Sequence, residues 1–174
     1  ISFHADGRVV LYPMAAQNRR TGRRMDIVER LDSQLGYGVR EIVDLSHHEI
    51  EEHYLEGTGS MVLDRVNRVA YVCLSSRTQL EVLGEFAQRM GYDGGAFEAV
   101  DRDGAAIYHT NVLMNIGEEL AVLCDEAILR EEQRTAVLQR LQETGHQVMS
   151  LNYDQLDAFA GNMLELRKKD GERL

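Results

Sequence analysis

Two short stretches carry side chains able to do chemistry. In Tyr54–Ser60, YLEGTGS, the carboxylate of Glu56 sits between an apolar residue and a glycine-rich turn, where desolvation penalises a charge. In Tyr108–Val112, YHTNV, the imidazole of His109 stands before a similar apolar segment, 53 residues further on (109 minus 56). A carboxylate that meets an imidazole fixes its tautomer and orientation and favours its protonated form, the first requirement of an acid–base pair. The same interval forward reaches Asn162 in FAGNMLEL, and backward it reaches SFHADG near the first residue. Asn162 also reads more plainly as a turn residue.

Other side chains could hold a substrate. Arg77 in SSRT and Arg19 or Arg20 in NRR carry guanidinium forks that suit a carboxylate. The plainer readings are a solvated charge at Arg77, with Ser76 or Thr78 capping a helix, and a solvated charge run at Arg19 and Arg20. The stretch SHHEIEEHYLEG invites a metal reading. However, H-E-x-x-H needs one residue fewer than separates His48 from His53, so a solvated acidic loop is expected and no metal or other cofactor is called for. The glycines of GTGS lack the lysine that would make a phosphate loop. Cys73 and Cys124 close the apolar runs AYVC and AVLC. They read as small buried hydrophobes, and two cysteines cannot build a disulfide framework.

The elements that must position these groups form a repeat. VAYVC (Val69–Cys73) and LAVLC (Leu120–Cys124) are alike, and Gly36, Gly91 and Gly145 each end a helical pattern and precede an apolar run, as helix caps do. The unit reads strand, strand, helix, strand. In the second copy, strands over 60–64 and 69–73 flank RVNR, a helix covers 78–90 with Leu80, Val82, Leu83, Phe86, Ala87 and Met90 inward, and 96–100 is extended. In the third, strands over 112–116 and 120–123 flank GEE, a helix covers 131–143 with Val137, Leu138 and Leu141 inward, and 147–151 is extended. The first copy reads as incomplete: a strand over 8–12, a helix over 24–35 and a strand over 41–45. The units thus span roughly 1–45, 56–100 and 109–151 of one domain, with the start of a further unit at 160–174. So small a unit cannot bury its own apolar face, so neighbours must cover it, and in a ring of such units equivalent positions converge on the axis.

Bulk properties narrow the function. At 174 residues, 44% hydrophobic and 28% charged, the chain is of globular type and one-domain size. A net charge of −10 repels phosphates, which argues against nucleic acid, and the only dense basic cluster is Arg19, Arg20, Arg23 and Arg24. No apolar run is long enough for a membrane helix and no signal peptide precedes the first strand, so a cytoplasmic protein is expected. The chain starts at Ile1 and ends in KKDGERL, which reads as an excised piece of a longer protein. Nothing in the sequence speaks to a homo-oligomer, which stays open.

Taken together, SFHADGRVVLYPM, NRRTGRR, LEGTGSMVLDR, AYVCLSSRT, IYHTNVLMNIG and FAGNMLEL resemble the citrulline-utilisation hydrolases, arginine-deiminase-related proteins of the guanidino-group-modifying (pentein) superfamily. The resemblance covers essentially the whole chain. It implies an α/β pentein-type propeller of five ββαβ units, about three of them present here. It implies a cysteine thiolate that attacks the guanidino or ureido carbon, with Glu56 in EGTGS orienting His109 in YHTNV as general acid and base. It gives Arg77 the substrate α-carboxylate, with Arg20 or Arg19 as a second contact. Asn111 stands where deiminases often carry an aspartate, and a neutral amide suits a ureido group, hence citrulline. The family cysteine falls beyond the last motif seen here and neither Cys73 nor Cys124 matches it, so the chain alone is expected to be inactive. The implied activity is citrulline to ornithine, with a small-molecule amino acid as the partner. Arginine deiminase, dimethylarginine hydrolase, amidinotransferase and a non-catalytic amino-acid binder are the alternatives.

Overall fold

The computed structural model describes residues 1–166 and 168. The first unit contains β1 (Ser2–Phe3), β2 (Arg8–Leu11), two helices, α1 (Gln17–Arg20) and α2 (Met25–Leu35), and β3 (Glu41–Asp44). A 3-10 turn, Ser46–Glu51, leads to the second: β4 (Met61–Asp64), β5 (Val69–Cys73), α3 (Leu80–Met90) and β6 (Asp93–Phe97). The third contains α4 (Thr110–Leu113), β7 (Met114–Ile116), β8 (Leu120–Leu123), α5 (Glu131–Glu143) and β9 (Gln147–Ser150), and α6 (Tyr153–Asp157) follows it.

Each unit forms its own three-stranded sheet, ordered β1-β2-β3, β4-β5-β6 and β7-β8-β9. The first two strands of each sheet pair antiparallel as a hairpin, and the third returns parallel after a helix. A parallel return needs such a crossover, and the glycines that end the helices supply the reversal. Gly36 and Gly91 adopt φ of 62° and 70°, a left-handed conformation that costs other residues energy. The first unit is complete, contrary to the sequence expectation, because Ser2 pairs with Val10 and Phe3 with Val9. A two-residue strand is too short to leave a periodic signal. The expected further unit at 160–174 lies partly outside the described residues, which stop at 166 and 168.

The core lies between units. All five residues of β5 are buried, on alternate faces. Val69, Tyr71 and Cys73 pack with Leu113, Leu123, Val137 and Leu141 of the third unit. Ala70 and Val72 pack with Val10, Val43 and Leu45 of the first, together with Val82, Phe86 and Met90 of α3. Each unit therefore depends on its neighbour for burial, which fixes the relative placement of the loops that precede their hairpins.

Three elements differ from the sequence expectation. α3 starts at Leu80 rather than at Thr78, and Leu80, expected inward, is exposed. β6 starts at Asp93 rather than at Ala96, through two glycines with little strand preference. Gly94 abuts Leu83 and Gly95 abuts Tyr71, so small residues let the strand settle under α3. Residues 110–113 form a helical turn rather than the start of a strand, because Thr110 and Asn111 are tied to the Gly59–Ser60 backbone. Among the described residues, no helix is long and apolar enough to cross a membrane.

Candidate active site

The turn after Leu55 presents the Glu56 carboxylate. Gly57 adopts φ of 63° and lies against the Tyr12 ring. The Ser60 hydroxyl accepts the Glu56 N–H at 2.8 Å and the Thr78 hydroxyl at 2.7 Å, and donates to the Arg77 carbonyl at 3.1 Å. The Thr110 hydroxyl donates to the Ser60 carbonyl and accepts the Cys73 N–H at 2.7 Å. These buried hydroxyls lock the Glu56 turn to β5 and to the segment carrying His109. A fully satisfied buried network of this kind restricts the backbone to one arrangement.

Glu56 has a side chain only 3% exposed, yet both of its carboxylate oxygens are engaged. Oε1 accepts the Ala15 N–H from the first unit at 3.0 Å. Oε2 accepts from His109 Nε2 of the third unit at 2.7 Å. A carboxylate only accepts, so Nε2 carries the hydrogen and Nδ1 is the nitrogen free to exchange a proton. His109 enters from an extended residue just before α4, and its ring packs on the bare Cα of Gly59. Arg77 Nη1 lies 3.6 Å from the same Glu56 Oε2, with a side chain 43% exposed. Its guanidinium sits over the Tyr108 ring at 4.9 Å, and the Tyr108 and His109 ring centres are 4.8 Å apart. One buried carboxylate thus holds an imidazole and a solvent-facing guanidinium side by side.

The other expected residues are placed around this centre. Asn111 donates its N–H to the Gly59 carbonyl at 3.2 Å, and its side chain lines a cleft of about 350 Å³ with Thr58, Met61, Arg65, Asn115 and Asn162. The interval that links Glu56 to His109 therefore carries Asn162 into the adjoining cleft, not onto the pair. Arg20 donates to the Met14 carbonyl at 3.1 Å and lies 3.2 Å from Glu49. Arg23 also bonds Glu49, and Met14 N–H donates to it at 2.8 Å. Burial would raise the Glu49 carboxyl, but these partners outweigh it and hold the group below its ordinary value. Arg20 thus shares the single carboxylate of Glu49 with Arg23, in a second cleft that touches the centre through Ala15.

Cys73 and Cys124 are both fully buried, and burial pushes each thiol up to about 11. The Cys73 thiol donates to the Ile107 carbonyl at 3.3 Å. A thiol of that kind is uncharged at neutral pH and is not poised as a nucleophile. Neither Ser76 nor Thr78 caps α3: its first flanking residue is Gln79, without a side-chain cap, and Thr78 serves Ser60 instead. Sequence reasoning missed Ser60, Thr110 and the Ala15 N–H. The hydroxyl beside GTG was a visible signal for Ser60, whereas a backbone donor leaves none.

The family model of the eukaryotic N,N-dimethylarginine dimethylhydrolases matches residues 1–174. The chain belongs to that family. No curated protein matches it significantly. Among solved structures, this family member is similar to the N-terminal domain of ArgZ, an arginine dihydrolase from the ornithine-ammonia cycle in cyanobacteria, solved with its product. The TM-score is 0.68 at 15% identity, over 97% of this chain and 56% of that one. It is also similar to AgrE, solved in ternary complex with ornithine and NAD+, with a TM-score of 0.67 at 17% identity over 91% of this chain and 21% of AgrE. The chain thus spans about half of one and about a fifth of the other. At such identities the likeness is one of fold. Together with the family match it bears out the expected pentein membership, among relatives that include guanidino-modifying hydrolases, and the expected α/β architecture of ββαβ units.

Proposed function

We propose that the protein is a hydrolase of the guanidino or ureido C–N bond of an amino acid, with Glu56 and His109 as its acid–base pair and citrulline as substrate. The observation that carries this reading is the 2.7 Å contact between His109 Nε2 and the buried Glu56 Oε2, with Arg77 beside them. The nucleophile is the cysteine thiolate of the superfamily, and neither Cys73 nor Cys124 fills that role. Its sulfur bonds to the ureido carbon as the bond from that carbon to the ornithine δ-nitrogen breaks. His109 gives its proton to the leaving nitrogen. It then takes a proton from water, which attacks the S-carbamoyl carbon and releases the thiolate. The carbamic acid formed decays to carbon dioxide and ammonia. Glu56 stabilises the imidazolium that donates in the first step and forms again in the second. The exposed guanidinium of Arg77 binds the substrate α-carboxylate, and the neutral amide of Asn111 favours an uncharged ureido group over a cation.

The family match supports a second reading, in which dimethylarginine is the substrate and dimethylamine leaves. An assay of the intact protein on citrulline, arginine and dimethylarginine separates the two, with ornithine, ammonia and dimethylamine as readouts. Ornithine from citrulline is expected, together with loss of turnover in His109→Ala. No turnover of any of the three, or full activity in His109→Ala, overturns the proposal. Mass spectrometry of the products with an added amine acceptor separates hydrolysis from amidino transfer.

A further inference from the structure

Away from the Glu56–His109 pair, two histidines adjacent in sequence meet one carboxylate. His48 Nε2 lies 2.8 Å and His47 Nε2 lies 3.3 Å from the same atom, Oε2 of Glu85. The three donor atoms lie within 4.8 Å of one another. His47 and His48 sit in the 3-10 turn Ser46–Glu51 that follows the first unit, and Glu85 sits on α3 of the second. We propose that His47, His48 and Glu85 bind a divalent transition cation of the zinc type.

The geometry is close to what such an ion needs. Ligand bonds of about 2.0–2.1 Å in a tetrahedron put neighbouring donors about 3.3 Å apart. The His47 separation matches this, and His48 would need to withdraw by only about half an ångström, within the reach of a side-chain rotation. The rings of His47 and His48 lie against each other at a tilt, with centroids 4.3 Å apart and planes 32° apart. A carboxylate only accepts, so a metal replaces the hydrogen by which Nε2 now meets Oε2, and the neutral ring then carries its hydrogen on Nδ1. The other oxygen of Glu85 faces Arg89, with Nη1 at 3.8 Å. That leaves Oε2 for the ion, and Glu41, 3.0 Å from Arg89, offsets the arginine charge. His47 is 56% exposed, which gives the cation an entry path and room for a water as fourth ligand. Two imidazoles and one carboxylate suit zinc, copper or nickel rather than magnesium or calcium, which prefer oxygen alone.

The same turn reaches the active-site candidate. Glu49, its next residue, binds the Met14 N–H, and the neighbouring Ala15 N–H binds Glu56. A cation joining the turn to α3 therefore clamps the segment that supports Glu56.

The test is calorimetric titration of zinc chloride into the intact protein and into His47→Gln, Glu85→Gln and His53→Gln variants. His53 serves as the control because it belongs to a competing donor group with His48 and Glu51. The expected result is one zinc equivalent in the wild type that weakens at least about tenfold in His47→Gln and Glu85→Gln, as loss of a direct ligand should, and persists in His53→Gln. Zinc should also raise the melting temperature of the wild type but not of the first two variants. Equal zinc uptake by wild type and Glu85→Gln overturns the assignment, as does loss in His53→Gln with retention in His47→Gln. Thermal melts without zinc identify any variant that fails to fold, and the remaining variant of the pair then decides.

Discussion

A Cβ built on Gly59 would stand 3.0 Å from both Cε1 and Nδ1 of His109. Only a residue without a side chain lets the imidazole lie where Nε2 reaches Glu56. Gly59 is tied to the same segment twice over, since its carbonyl also accepts the Asn111 N–H at 3.2 Å. The second glycine of GTGS is therefore part of the site itself and not only of a turn.

Gly59→Ala is accordingly expected to push the ring aside by a few tenths of an ångström, at a stability cost of about 1–3 kcal/mol. Displacement of an acid–base group by such amounts should lower kcat/KM by up to about a hundredfold. Gly84→Ala is the matched control. A Cβ there meets nothing within 4 Å, and alanine inside α3 should stabilise by about 0.5–1 kcal/mol without touching activity. Steady-state kinetics and urea melts of both variants check this. Equal activities in the two would remove Gly59 from the site.

The Ser60 hydroxyl is the joint between three segments, because Glu56, Thr78 and Arg77 all bond to it. Ser60→Ala leaves the Glu56 N–H and the Thr78 hydroxyl in the interior without a partner. Each orphaned group costs about 1–3 kcal/mol. The urea midpoint should fall with no change in the m-value, since the surface exposed on unfolding is unchanged. A midpoint equal to that of the wild type would show that the network contributes nothing net.

How much of this was legible from the sequence depends on how local each signal is. Glu56 and His109 could be paired because the repeat keeps one interval, and the units pack so that each loop meets the next. The same interval brings Asn162 to the cleft beside the pair, since an equivalent position guarantees a neighbouring place but not a contact. β1 escaped notice because two residues carry no period. The start of β6 escaped because Gly94 and Gly95 answer to Leu83 and Tyr71, contacts made only after the helix has packed. Arg20 had a suitable fork, but its partner Glu49 comes from a turn whose position the local pattern does not reveal. His47 and His48 were read within their own stretch, whereas the carboxylate that completes the group, Glu85, lies on another element.

His4 gives a pH dependence whose sign can be worked out. Its Nε2 lies 2.9 Å from Ser2 Oγ, and its Nδ1 lies 3.3 Å from an Arg65 nitrogen. A guanidinium only donates, so Nδ1 must keep its lone pair and the folded ring is neutral. Burial first, then the Arg65 charge, lowers the group from 6.5 to about 4. Below pH 6.5 the unfolded chain takes up a proton that the folded chain refuses until about pH 4. The stability tied to neutral His4 is therefore complete above pH 6.5 and is lost as the pH falls towards 4. Urea midpoints measured across that window should decline in the wild type and decline less steeply in His4→Asn, whatever the absolute stability of the variant. Carboxylates titrate in both proteins and cancel in the comparison. Parallel slopes would mean that the imidazole is charged in the folded state, and the hydrogen bond from Arg65 could not then exist.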